Sequence, residues 1–535
     1  MKKSLIVAMF VFGIVLLAFV SVVAASETLT FSMETEIPAL DPQKSNASPS
    51  FTVISHIFEN LVRRFEGRTI PGVASKWETS EDGRTITFHL RDSKWSDGKP
   101  VTAHDFEYTI KRLIDPKTAA EYAFAAYYIK GAEDFNKGKT KDASSVGVKA
   151  IDDKTLVVTL KEPTPYFVGF LAHGVFAPSR RDVVEKYGEA YATGADKVVY
   201  NGPFVLKEWK HEQVKIFEKN PTYWNSKAIK LDRAEIMVIP DTATALNMFE
   251  NGEFDLVDVP SNLFKMYRDQ GKAKLFYNGA LDWIRVNVAK NPDRPWLSNK
   301  NFRKAMAWAI DRESYTATST KGLYTPAFRF ILPIVQGVKE QYGKEHPLPF
   351  YTPKGDAKKA KMYLDSALKE LKLSKPSEIT VEYLIQDQEE TRLMAETLQQ
   401  QIQKNLGINF KIRLVTRKQR AQLEQAKNYE LVYSGWMPDY DDPMTYEEIW
   451  LSDSSHNTTS YASPEYDKLV KGAMLEKNPT KRMKMIFEAE KRILDDAPLI
   501  PLQMRRKAWM INPKLKNFSR PLVGAEYDFA FAYFQ

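Results

Sequence analysis

The chain has 535 residues, of which 43% are apolar, 12% aromatic and 27% charged, and its formal net charge is +8. That balance supplies apolar surface for a large core and excludes a disordered, collagen-like or polytopic membrane chain; the length suits about three domains at ~100–200 residues each. There is no cysteine. Disulfides, thiolate-bound zinc, iron–sulfur clusters, thiol catalysis and a thioether-linked lipid anchor are therefore excluded.

The N-terminus reads as an export signal: Lys2 and Lys3 precede an apolar run from Leu5 to Val23, and Ala24, Ala25 and Ser26 follow. Small residues at Val23 and Ala25 predict cleavage after Ala25, leaving 26–535. The competing reading is an uncleaved anchor, because the run approaches the ~20 residues that span a bilayer. Cleavage removes two lysines and no acid, lowering the charge from +8 to +6. Lysines and arginines are interspersed with acids and form no basic stripe, which disfavours nucleic acid as a partner.

Beyond Thr28 short strands mix with helices in no fixed period, so the reading is an α/β chain without solenoid or propeller repeats. Thr85–Leu90 alternates as a half-buried strand, and 102–113 has helical spacing behind the cap Thr102. Residues 146–150 and 155–160 predict a hairpin about Asp152-Asp153, ended by Pro163 and Pro165. From Asn201 to Trp224 the spacing gives two paired strands and an aromatic loop, and 243–249 a short helix. Amphipathic helices are expected at 302–312 and 356–371, then a strand at 379–385, a helix at 389–404, strands at 410–415 and 430–433, and helices at 464–474 and 480–494. The strand–helix–strand unit from 379 to 415 implies a parallel element in a mixed sheet.

Catalytic signals are weak. Seven histidines are scattered singly, with no i, i+4 pair to hold a metal. Gly131–Thr140 (GAEDFNKGKT) has two residues too many between its glycines for a phosphate cradle. Asp441-Asp442 offers a carboxylate pair of glycosidase type, whose competence depends on a separation the sequence does not give. The segment that stands out is Gly435-Trp436-Met437-Pro438-Asp439-Tyr440-Asp441-Asp442-Pro443, directly after a strand. A carboxylate held among aromatic faces suits an ammonium group, through ion pairing at low dielectric and cation–π attraction. The same residues also suit a tight acidic turn whose rings merely pack.

With these residues the chain resembles the peptide/nickel class of ABC-transporter solute-binding proteins, the family of periplasmic oligopeptide-binding proteins. The resemblance covers the mature chain: Leu40-Asp41-Pro42, the block Gly72–Leu113, GVKAIDDKTLVVTL, EPTPYF, NGPF and NPTYW, NGEFD, FRKAMAWAIDR, GWMPDYDDP and SDSSHNTTSYASPEYDKL. It implies a periplasmic-binding-protein type II clamshell of two α/β lobes with mixed sheets, hinged by two linking strands, plus an additional inserted domain. The implied divisions are lobe I in 26–58, 184–278 and 509–535, the inserted domain in 59–183, and lobe II in 279–508. No catalysis and no cofactor or metal are implied. A monomer in the periplasm would enclose an oligopeptide and deliver it to membrane permease subunits.

Residue by residue, the resemblance places Asp439 on the ligand's α-ammonium group, with Gly435 and Trp436 lining the cleft beside it. His456 and Asn46 fall where the family has polar or acidic pocket residues. Tyr433, Glu424 and Thr391 stand where arginines and a histidine receive a peptide carboxylate, so that end departs from the pattern. Arg505 and Arg392 are the replacement cations nearest to hand, and an ion pair with a neighbouring acid at the hinge is the other role open to Arg505. Loss of carboxylate anchors also fits the oligosaccharide-binding members of the class. A secreted hydrolase is the reading from outside it.

Overall fold

The computed structural model describes residues 27–535 except Glu66 and Pro349. The export signal at 1–25 and its cleavage site lie outside the described residues.

An eleven-stranded mixed sheet runs through both lobes. On one side lie Asn409–Val415, Thr380–Gln386 and Leu431–Trp436, parallel to one another. On the other lie Leu256–Val259, Thr28–Met33, Arg233–Val238, Val214–Lys219 and Phe204–Lys210. Between them run two antiparallel strands of 13 residues each, Lys274–Val286 and Leu499–Ile511. Their pairing comes in two stretches. Lys274 to Tyr277 face Trp509 to Arg506, and Leu281 to Arg285 face Met504 to Leu499, with the ladder broken between Tyr277 and Leu281.

The break is built around Gly279, whose φ of +84° an L side chain rarely adopts and whose missing Cβ would sit 2.7 Å from the Leu522 carbonyl oxygen. The Tyr446 hydroxyl donates to the Gly279 carbonyl at 2.9 Å, satisfying a group that the broken ladder releases. The two strands thus carry the chain between lobes at a point where backbone pairing is weakest.

Residues 74–159 hold a separate antiparallel sheet, in the order Ala74–Thr79, Thr85–Leu90, Thr155–Thr159 and Val148–Asp152. Helix Ala103–Ile114 covers it with Phe106, Ile110 and Leu113, its N-terminus closed by a Thr102/Asp105 capping box. Residues flanking this unit in the chain reach across to the segment after strand Leu431–Trp436. The Tyr166 ring stacks on Tyr440 at 4.4 Å with 2° between planes, and Arg64 pairs with Asp441.

The helix expected at 302–312 is two, Lys300–Trp308 and Arg312–Ser319. Asp311 caps the second by accepting from the Ser314 amide at 2.9 Å. The fully buried Arg312 guanidinium donates to the carbonyls of Ala307, Ile310 and Pro501. The helical periodicity continued, but a side-chain cap and a buried cation gave the freed carbonyls better partners than another turn.

Candidate functional site

Strand Leu431–Trp436 passes from fully buried apolar residues to the cleft in six positions. Leu431 and Val432 fill the core, and the strand leaves the sheet at Gly435-Trp436, where Gly435 faces Asp282 and Trp436 faces Leu281. A Cβ on Gly435 would lie 2.6 Å from an Asp282 carboxylate oxygen and 2.8 Å from the Leu281 carbonyl, so the close approach of the two strands there requires glycine.

The loop that follows is pinned by Thr445. Its hydroxyl accepts from the Trp436 indole N–H at 3.1 Å and from the Asp439 amide at 3.3 Å. His456 meets the Trp436 ring edge-on at 5.1 Å. Asp439 then faces a cavity of about 330 Å³ walled by Trp436, Tyr440, His456 and Glu448 and, from the earlier part of the chain, Phe124, Tyr128 and Phe170. Burial among these rings pushes the Asp439 carboxyl up to about 6. Glu448 is pushed up to about 7, first by burial and further by the nearby Asp439, although the Tyr440 hydroxyl hydrogen-bonds it at 2.6 Å. Burial, with a smaller push from Arg285, lowers His456, which is neutral at pH 7.

The two neighbouring acids are spoken for. Asp441 is paired with Arg64 and accepts from the Gln336 amide at 2.8 Å; Asp442 holds Arg482 through two hydrogen bonds of 2.7 and 2.8 Å. Neither offers a free carboxylate, so the glycosidase-type couple raised by Asp441-Asp442 is not available.

A second cavity, of about 360 Å³, lies on the other side of Trp436 and has the opposite charge: Arg417, Arg420 and Arg505 line it beside Tyr433, Gly435 and Gln388. Arg505 donates to the fully buried Asp282 at 2.9 and 3.0 Å, and the same carboxylate accepts from the Tyr433 hydroxyl at 2.7 Å and the Gln503 amide at 3.0 Å. Arg505 is therefore first the counter-ion of Asp282, yet its side chain keeps 39% exposure toward the cavity.

Arg420 donates to the Tyr433 carbonyl at 2.8 Å and to Glu424 at 2.7 Å. Glu424 also accepts from Ser434 at 2.8 Å and faces Arg285 at 3.4 Å. Glu424 thus anchors Arg420, one helical turn earlier. Arg417 is exposed and forms no ion pair among the described residues.

Two expected residues stand apart. Arg392 is exposed, paired with Asp387, and lines a different recess with Glu389 and Glu396. It lies about 100° around helix Glu389–Leu406 from the buried Thr391, whose hydroxyl bonds the Gln386 and Gln388 carbonyls at 2.6 and 3.0 Å, and its guanidinium is taken by Asp387. Asn46 is exposed in the loop before helix Ser48–Ile57 and lines neither cavity. Conversely, Asp282, Arg417, Arg420 and Glu448 were not distinguished in the sequence. Nothing local marks them; their importance comes from strand pairing and from the turn of one short helix.

A cleft between two lobes joined by paired crossing strands, with charged and aromatic groups converging on it, is the arrangement of a solute-binding protein. The model of the bacterial extracellular solute-binding proteins, family 5 (middle), matches residues 68–458, and the chain belongs to that family. It is 34% identical to the oligopeptide-binding protein OppA of Bacillus subtilis over 520 residues, covering 95% of this chain and 93% of that one. The unliganded open form of the murein tripeptide-binding protein MppA matches with a TM-score of 0.84 at 27% identity, covering 96% of this chain and 98% of that one. Listeria monocytogenes OppA bound to peptide matches at 0.67 and 32%, covering 96% and 100%. The match to the unliganded open form has the higher TM-score of the two. Members of the family bind solutes and are not enzymes.

Proposed function

We propose that this protein captures short peptides between its lobes, closes over them and presents them to the permease of an ABC transporter. The relatives named for oligopeptides and the peptide-bound neighbour support this cargo. The observation that carries it is Asp439: a carboxyl among aromatic rings with no ion-pair partner among the described residues, at the end of a strand whose last residues, Ser434 to Trp436, pair only with Lys274–Val286 and have no strand on their other side among the described residues. The peptide's α-ammonium group takes that place. Its backbone lies along Gly435-Trp436, and its carboxylate turns to the cavity lined by Arg417, Arg420 and Arg505. Side chains meet roomy cavities where water adapts to them, which supports broad specificity.

In this reading the export signal is cleaved after Ala25 and the monomer works outside the cytoplasmic membrane without a lipid anchor. Calorimetry with a free tripeptide and its N-acetylated form tests the assignment. The free form binds and the acetylated form does not; equal binding, or binding of neutral oligosaccharides in place of peptides, overturns it.

A further inference from the structure

Asp439 is not the sole carboxyl in its cavity. Glu448 enters it from the short turn Glu448–Trp450, and the Tyr440 hydroxyl reaches one of its oxygens while the other accepts no hydrogen bond among the described residues. No lysine or arginine lines the cavity. Arg482, the cation whose charge acts on Glu448, is held by both oxygens of Asp442. The remaining titratable groups facing Glu448 bring no positive charge: the Tyr128, Tyr166 and Tyr440 hydroxyls are raised by burial and His456 is lowered by it. One ligand ammonium group neutralises one carboxylate. When the cleft closes, the other is left as an uncompensated charge at low dielectric or must take up a proton.

We propose, building on Asp439 as the ammonium site, that Glu448 is a specificity-determining residue: the paired carboxyls select peptides whose first residue carries a second positive charge. A lysine side chain at that position lies along the Phe124, Tyr128 and Phe170 rings, which cover its stem, and brings its ammonium group to Glu448. A neutral first residue binds with Glu448 protonated and loses that charge-assisted hydrogen bond.

The test compares Lys-Ala-Ala with norleucine-Ala-Ala, which has the same stem without the amine, by calorimetry at pH 8. The wild type prefers the lysine peptide by ~10-fold or more, and Nε-acetylation of that lysine abolishes the preference without any change to the protein. In Glu448→Gln the ratio falls to within about twofold. A wild-type ratio near one, or an unaltered ratio in Glu448→Gln, overturns the proposal while leaving Asp439 in place. If neither free tripeptide binds, the peptide reading itself fails and this one with it.

Discussion

The Arg505 guanidinium lies 2.9 Å from the Asp282 carboxylate, joining the two crossing strands diagonally across the Leu281–Met504 pair, where the interlobe ladder resumes. Asp282 is fully buried, so it relies on Arg505, Tyr433 and Gln503 for all of its compensation. Removing Arg505 leaves the buried Asp282 carboxylate held only by the neutral donors Tyr433 and Gln503, at a cost below the ~3–5 kcal/mol of a fully buried pair because Arg505 is partly exposed. Arg505→Ala should therefore lower thermal stability markedly, whether or not ligand is present. A melting temperature within a degree of the wild type would show the pair to be dispensable.

Arg417 faces the same cavity without such an obligation. Arg417→Ala should leave the melting temperature unchanged and weaken free-acid tripeptides by roughly 3- to 30-fold while sparing their C-terminal amides, because only the carboxylate meets the cation. Equal losses for acid and amide forms would instead indicate a structural effect on the strand edge.

Binding should depend on pH through Asp439, whose carboxyl burial pushes up to about 6. The ammonium ligand needs the ionised form, so affinity for a tripeptide with a neutral first residue falls about tenfold per unit as pH drops below 6; above about 7, where Glu448 must take up a proton to accommodate such a ligand, it declines again. In Asp439→Asn that slope disappears and affinity is lower by about 2–5 kcal/mol. A flat profile between pH 4.5 and 7 in the wild type would remove Asp439 from the ammonium site.

Glu448 has a consequence for stability that opposes its role in binding. Its folded-state value of about 7 lies above the ordinary carboxyl range, so between pH ~4.5 and 7 unfolding releases a proton and stability declines as pH rises. Above 7 the penalty is constant, at most ~3 kcal/mol. Glu448→Gln should accordingly melt higher than the wild type at pH 8 and equally at pH 4. A variant less stable at pH 8 would mean that Glu448 is compensated in a way its surroundings do not reveal.

Closure should be visible in solution. The chain matches the unliganded open form of MppA with a TM-score of 0.84, and a ligand touching both lobes binds the closed state preferentially. Small-angle scattering should show the radius of gyration falling when a tripeptide saturates the protein. No change at calorimetrically verified saturation would contradict a hinged clamshell.

Much of this protein is local and was legible in the chain. The hairpin Val148–Asp152/Thr155–Thr159, the capped helix Ala103–Ile114 and the parallel pair Thr380–Gln386/Asn409–Val415 each follow from periodicity and turn residues a few positions apart. Asp439 stood out because its aromatic neighbours are also its sequence neighbours. The absence of cysteine alone removed a whole set of chemistries.

The crossing strands were not legible. Lys274–Val286 reads as interrupted by Asn278-Gly279, and Leu499–Ile511 by Pro501 and a run of charge from Arg505 to Lys507, because each belongs to two lobes with different burial patterns. Their register is fixed only when residues more than 200 positions apart pair, and that register is what buries Asp282 against Arg505 and sets Gly435 opposite it. The same holds for the basic cavity and for Glu448. Chemistry carried by one segment shows in sequence, whereas a charge whose partner arrives from a distant strand or another domain acquires its role only on folding, when burial makes it depend on that partner.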